Sequence, residues 1–390
     1  MTEESKLPQR VVILTHEFFP THGGIATYVR ELAGALVELG VEVTVWAPDS
    51  PTGQLSDSAG ERFDFGIRPL RLRGTQSWDC RLKLAWALLS ERDSWHDAVL
   101  YLPEPGPIRT WCYLQLIPGL LPSRLVITLH GSEIENLSRW PHRRSLFHRL
   151  LRNTDRVGVV SKNVKGALLS RYPDIEAKSV LAYGAVRKDI PGSSESGPPF
   201  NHRTDAGHGK WILLTVGRIH PRKGQLAVVE ALGLLSQPVR ERILYRIVGP
   251  VGRQAYHAEI AATAAAAGVA VEFTGPLSES ELTNAFAQAH AFAMASVRSK
   301  FSVEGFGLVY LEAGARGLPV IAHDIGGVAD AVRNGVTGIL VPPDDRQALS
   351  DAILQLLESP ALRRSMGEAG RLHAQEFSWT RTARQLFSGL

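Results

Sequence analysis

Apolar positions in this chain fall into two alternating patterns. Short unbroken apolar runs at 11–15, 41–46, 98–102, 125–129, 156–160 and 179–183 read as strands covered on both faces, as in a parallel sheet. Between the first two, residues 25–39 carry apolar side chains at helical spacing and stop at Gly40. A strand, a Gly23-Gly24 turn, a helix and a second strand make a βαβ unit, with its turn at the carboxyl edge where ligands bind. The alternation resumes at Trp211, with strands at 212–216, 243–248, 271–275, 291–295 and 319–322. An alanine-rich helix is expected over 258–267, and another over 308–316, ended by Gly317 and Pro319. Ser278 and Glu281 have capping-box spacing. Three stretches break the rhythm. Residues 51–75 predict no regular element, 103–107 (PEPGP) a rigid loop, and 191–209 a polar linker between domains at 1–190 and 210–376.

A length of 390 residues allows two core-bearing domains, and 44% hydrophobic with 21% charged residues describes a soluble globular chain. The net charge of +4 falls short of a nucleic-acid binder and suits an anionic substrate or an acidic membrane surface. Cys80 and Cys112 fit no metal spacing and no disulfide framework, which points to a reducing cytoplasm. The charged N-terminus leads straight into a strand, unlike a signal peptide, and no apolar run is long enough to span a bilayer.

The densest candidate chemistry lies in 302–322, SVEGFGLVYLEAGARGLPVIA. Glu304 falls in the loop before the expected helix, and Glu312 points inward from its second turn. Between them, the amides of Phe306, Gly307 and Leu308 open toward the same space. Free N–H groups at a helix start attract a phosphate, whereas a carboxylate there repels one unless the ligand also brings hydroxyl donors. A nucleoside diphosphate sugar has that mixture. Upstream, Gly217-Arg218-Ile219-His220-Pro221-Arg222-Lys223-Gly224 joins a strand to a helix. Arg218 can fork onto diphosphate oxygens and Lys223 adds a point charge, while His220 and Arg222 are expected to face outward. His130-Gly131-Ser132-Glu133 follows directly on a strand, so His130 is either a satisfied structural histidine or a site group.

The string EGFGLVYLEAGARGLPVIA resembles the E-x7-E signature of the family 4 retaining glycosyltransferases. Their GT-B fold is α/β, two Rossmann-like domains with parallel sheets facing a central cleft. GRIHPRKG matches the family's G-R-x-x-x-x-K-G loop without a gap, GGIATYVREL looks like its first loop, and His130-Gly131 like its H-G motif. Residues 377–390 resemble the last helix, which crosses back onto the first domain. The likeness covers nearly the whole chain and is densest over 210–342. It implies metal-independent transfer of a hexose from a UDP- or GDP-hexose to an acceptor hydroxyl, with retention and no cofactor. The lack of any D-x-D agrees with the metal-free expectation. By the same likeness, Glu312 binds the ribose and Glu304 the sugar hydroxyls. Arg218, Lys223 and the amides at Phe306, Gly307 and Leu308 hold the leaving diphosphate, while His130, Gly23 and Gly24 meet the donor from the first domain. Ser161, expected to cap a helix, and Gly184 fall near the ligand. The acid that normally follows the Gly184 turn is missing, so its role is not carried over. The segment 296–301 is longer than the family's usual link and has a weak likeness to the subgroup that mannosylates phosphatidylinositol.

The acceptor stays open, with lipid, cyclitol, glycan and natural-product hydroxyls all compatible. Residues 138–156 are the most basic stretch and read in two ways. One is a core helix with a solvated basic face; the other is a contact with an anionic acceptor or the inner face of a membrane. A GT-B fold also serves nucleotide-sugar epimerases and glycan phosphorylases, and a non-catalytic nucleotide-sugar-binding subunit is a third reading. The intact set of Arg218, Lys223, Glu304 and Glu312 argues against the last of these.

Overall fold

The computed structural model describes residues 6–19, 23–49, 63–72, 77–188, 190, 209–298 and 304–390, and the structural statements below concern these. They divide into two compact units, Met1–Gly184 with Ser378–Leu390, and Ala185–Phe377. Apart from Gly209, the linker expected at 191–209 lies outside the described residues, as does the second half, 299–301, of the long link at 296–301.

Unit 1 is a parallel sheet of β1 (Arg10–Leu14), β2 (Glu42–Pro48), β3 (Gly66–Leu70), β4 (Val99–Leu102), β5 (Arg124–Leu129), β6 (Arg156–Val159) and β7 (Ser179–Leu181). The spatial order is β3-β2-β1-β4-β5-β6-β7. The unbroken apolar runs sit at its centre because helices cover both faces, and Val11 to Leu14, Leu100 and Ile127 are fully buried. Those helices are α1 (Gly24–Glu38), α2 (Trp78–Ser90), α3 (Pro105–Leu114), α4 (Ser132–Ser138), α5 (Pro141–Asn153) and α6 (Lys162–Leu169).

Two expectations need correction. The PEPGP stretch is not a rigid loop, because α3 begins within it. Pro105 stands at the first helical position, where its missing N–H and fixed φ cost nothing, and the Glu104 side chain caps the helix by accepting the Gly106 N–H. Residues 51–75 are not wholly irregular either. β3 pairs with β2 along Thr44↔Gly66 to Pro48↔Leu70, and as an edge strand it tolerates Pro69. Ser161 caps α6 as expected.

Unit 2 repeats the scheme with β8 (Trp211–Val216), β9 (Ile243–Val248), β10 (Val271–Gly275), β11 (Ala291–Met294), β12 (Val320–His323) and β13 (Gly338–Val341), in the order β10-β9-β8-β11-β12-β13. Its helices are α7 (Gln225–Gly233), α8 (Gln237–Arg240), α9 (Gln254–Ala267), α10 (Glu279–Gln288), α11 (Leu308–Ala315), α12 (Val328–Ala331), α13 (Arg346–Glu358) and α14 (Pro360–Gln375). The Ser278–Glu281 capping box is formed at α10.

The last helix, α15 (Trp379–Phe387), belongs to unit 1. Buried Trp379 meets Tyr28 of α1 edge-on at 5.1 Å, and Phe387 meets Tyr101 of β4 at 5.4 Å. Polar ties fix its register: Thr382 donates to the Tyr183 carbonyl at 2.6 Å, and Arg156 to the Gln385 carbonyl at 2.8 Å. Truncating a buried Trp leaves a cavity that costs about 3–5 kcal/mol. Trp379→Ala is therefore expected to lower hydrogen-exchange protection in β1 and β6 while leaving β8 to β13 protected, although residue 379 follows unit 2 in sequence.

Candidate active site

In unit 2 the strand order reverses direction between β8 and β11, so the loops leaving their carboxyl ends diverge and open a crevice. β8 leads through Gly217 and Arg218 to a tight turn, Pro221–Lys223, capped by His220, whose Nδ1 accepts the Arg222 N–H at 3.2 Å. Gly224 then takes φ +69°, and a Cβ there would lie 1.7 Å from the Ala295 carbonyl oxygen. Only glycine lets this loop press against the exit of β11.

That contact brings two distant parts of the chain together. Lys223 Nζ lies 2.9 Å from Glu304 Oε2, and Ser296 Oγ, just beyond β11, donates to the same oxygen at 3.3 Å. The Gly327 N–H holds the Glu304 carbonyl at 2.9 Å. Burial alone pushes the Glu304 carboxyl up, but the Lys223 charge and hydrogen bond, with Arg222 and Ser296, outweigh it and hold it below its ordinary value. A second layer orients these groups. The buried Tyr310 hydroxyl is 3.1 Å from the Met294 carbonyl and 3.3 Å from Ser296 Oγ, and His323 donates from Nδ1 to the Ser296 carbonyl at 3.0 Å. Burial, then the Glu304 charge, raises the Tyr310 pKa, so its proton stays on.

The remaining predicted groups of this unit lie on the same two stretches of chain, the loop after β8 and the start of α11. Arg218 is exposed, with its stem packed close to Gly252 and its carbonyl held by buried Gln225 at 3.1 Å. Glu312 is half-buried on the second turn of α11. Gly307 caps that helix at φ +86°, where a Cβ would strike the Tyr310 ring at 2.4 Å, and it brings no side-chain cap to the first-turn amides. The Phe306 ring is buried against Phe377, and Leu308 opens the helix. Arg222 corrects an expectation: it is half-buried and its charge reaches Glu304, so it does not simply face outward. His220 likewise is half-buried in its capping role.

The other predicted residues lie in unit 1, whose order reverses between β1 and β4. His130, after β5, directs Nε2 to the Pro103 carbonyl at 2.8 Å. A carbonyl only accepts, so Nε2 carries the proton and Nδ1 is the remaining ring nitrogen. Gly23 and Gly24 open α1, and a Cβ at Gly24 would meet nothing within 4 Å. The protein's own packing therefore does not require glycine at Gly24. Ser161 is fully buried and its Oγ accepts the Val164 N–H at 3.2 Å, which caps α6. Gly184 is buried.

The sequence also left a buried pair at the β1/β4 reversal unassigned. The His16 N–H donates to Glu104 Oε1 at 2.6 Å. Burial, with the charges of Glu17 and Glu133, pushes Glu104 up to about 7 against its two backbone hydrogen bonds. Burial, then the Arg81 charge, pulls His16 down to about 4.

Comparison with known proteins fits this geometry. The family description "Glycosyl transferases group 1" matches residues 200–373, and "Glycosyltransferase Family 4" matches 22–188. A GDP-mannose-dependent alpha-(1-6)-phosphatidylinositol monomannoside mannosyltransferase of Mycolicibacterium smegmatis is 30% identical over 394 residues, spanning 97% of this chain and 98% of that protein. The chain belongs to the family 4 glycosyltransferases. A D-inositol 3-phosphate glycosyltransferase of Arthrobacter is also 30% identical, over 93% of this chain and 88% of its own. Two GT-B neighbours share the fold across almost their whole length. Sucrose-phosphate synthase from Thermosynechococcus elongatus has a TM-score of 0.76 at 23% identity, covering 97% of each chain. An alpha,alpha-trehalose-phosphate synthase from Burkholderia xenovorans has 0.72 at 16%, covering 96% and 98%. The protein is thus a hexosyltransferase by class, with the GT-B fold expected from its sequence.

For this glycosyltransferase, Lys223→Met would leave a buried carboxylate without its counter-charge, a loss of about 3–5 kcal/mol expected in urea denaturation at neutral pH. Because the Glu304 pKa is depressed on folding, its stabilisation is present above the ordinary carboxylate value and lost as pH falls through the folded value. Glu304→Gln is expected to flatten that acid limb in a stability-versus-pH series.

Proposed function

We propose that this enzyme moves mannose from GDP-mannose to a hydroxyl of a phosphorylated inositol, free or lipid-linked, with retention and without a metal ion. The observation that carries the reading is the Lys223–Glu304 pair at the β8/β11 reversal. The choice of donor and acceptor draws on the relatives, whose names specify GDP-mannose, phosphatidylinositol monomannoside and D-inositol 3-phosphate.

In the proposed reaction the bond between the sugar C1 and the phosphate oxygen breaks, and negative charge grows on that oxygen. Arg218, Lys223 and the first-turn amides of α11 oppose the charge, which is the main electrostatic task of such a site. Lys223 can do this from a fixed position because it is tied to Glu304 Oε2, an oxygen that Ser296 also holds. The other oxygen, Oε1, would accept a hydroxyl of the hexose, and Glu312 would accept from the ribose. His130 would meet a hydroxyl through Nδ1, since Nε2 is held by Pro103. Arg218 and Lys223 would stand at the diphosphate in the place of a divalent ion. The acceptor hydroxyl would attack from the face the diphosphate leaves, passing its proton to the departing phosphate.

Thermal melting with GDP, UDP, ADP and their sugars, in the presence of EDTA, tests the donor. A ligand at about 100 times its Kd adds about 2.7 kcal/mol of stability. The largest rise is expected with GDP-mannose, and a preference for UDP-glucose would overturn the donor assignment. Arg218→Ala is expected to lower kcat about 10²- to 10³-fold, as for loss of one transition-state donor. The anomeric configuration of the product, read by proton NMR, should match the donor's.

A further inference from the structure

Large apolar side chains that face solvent are concentrated on one part of unit 1. α2 is apolar on two faces: Cys80, Leu84, Ala87 and Leu88 are buried, while Trp78, Leu82, Trp86 and Leu89 point outward. Trp78, Leu82 and Trp86 are 65%, 67% and 72% exposed, and their i, i+4, i+8 spacing makes a stripe along one side of the helix. A surface helix normally buries its one apolar stripe and turns polar residues outward. Here a second row of large apolar side chains is left mostly exposed among the described residues.

The stripe continues across neighbouring helices. α2 packs on α3 and α3 on α5. Tyr113 near the end of α3, then Leu116, Ile117 and Leu121 in the turn beyond it, are all exposed. At the start of α5, Trp140 is 52% exposed. Arg81 lies within electrostatic reach of both Tyr113 and Arg143, which ties the three helices into one face.

The rim of this face is basic. α5 carries Arg143, Arg144, Arg149 and Arg152, all exposed, and no Asp or Glu. The Arg81 guanidinium stands 4.9 Å over the Trp78 ring, and that of Arg139 5.9 Å over Trp140. Tryptophans with arginines at their edges suit a boundary that is apolar on one side and anionic on the other. No helix among the described residues is long and apolar enough to cross a membrane, so such a face would lie on a bilayer and not span it.

We propose that the α2–α3–α5 face docks on the surface of an anionic lipid bilayer, with Trp78, Leu82, Trp86 and Leu89 entering the headgroup–acyl boundary and the α5 arginines meeting lipid phosphates. This revises the sequence-based reading of 138–156. The basic helix is a partner in the contact, and the apolar part of it comes from α2, whose residues carry no sequence motif. Shallow insertion needs apolar area and attraction to anionic lipid together. The inference does not depend on which sugar or acceptor the enzyme uses.

Flotation of the full chain with vesicles tests it. Phosphatidylcholine vesicles with and without phosphatidylglycerol are used, so that acceptor binding cannot be mistaken for surface binding. Binding is expected with phosphatidylglycerol only, and it should weaken as salt rises. Trp78→Ser with Trp86→Ser, and separately Arg143→Glu with Arg144→Glu, should each lower partition at least about tenfold. The thermal shift given by GDP should stay as in the parent, which shows that unit 2 is intact. Failure of the parent chain to float, or flotation unchanged by both double variants, would overturn the proposal. So would light scattering in which the Trp variants turn a dimer into a monomer while the parent ignores vesicles. The face would then join copies of this chain.

Discussion

A buried carboxylate needs a positive partner, and in unit 2 that requirement organises everything near the β8/β11 reversal. Glu304 is almost fully enclosed, and Lys223 stands 81 positions earlier in the chain, on a different loop. Desolvation opposes the charge on Glu304, so the pair holds only if geometry and extra hydrogen bonds repay the loss. The repayment can be traced to named residues. Gly224 lets the Lys223 loop reach β11, Ser296 adds a second donor, and Tyr310 and His323 fix Ser296. A cation held this way needs little reorganisation when a diphosphate charge develops beside it.

Unit 1 has the same reversal of strand order but fills it differently. Glu104 clamps the backbone where β1 and β4 end, accepting from His16 and Gly106. Folding raises the affinity of Glu104 for a proton and lowers that of His16. Stability from Glu104 is therefore lost as pH rises through about 7, and that from His16 as pH falls through about 4. Between the two ordinary values the effects oppose each other, so the pair changes protonation on folding with little net uptake. The reversal is a position for chemistry in both units, but in unit 2 it opposes charges and in unit 1 it fastens strands.

Much of this was legible in the sequence where local rules govern. The unbroken apolar runs became central strands, the helix over 308–316 ended near Gly317, and Ser161 and Ser278 capped their helices. Legibility failed where a residue's meaning depends on a distant neighbour. PEPGP reads as a loop because its prolines disfavour helix interiors, yet a proline at the first position starts one. Ser296 and Tyr310 look ordinary in sequence, and only their distances to Glu304 and to each other mark them. The half-buried position of Arg222 is hidden for the same reason, since exposure is not written in residue type.

The sequence by itself determined the alternation of strands and helices, the two loops of glycines and charges, and the family to which the chain belongs. These follow from periodicity and from motifs whose spacing is local, so nothing beyond neighbouring residues is needed to read them. Only the tertiary structure decided that Lys223 and Glu304 touch, that Glu104 faces inward as a clamp, and that one apolar side of α2 is left uncovered. The reason is that burial and pairing belong to the packed chain. A carboxylate becomes a buried partner, or a tryptophan an exposed one, when other elements close over one side of it and leave the other open.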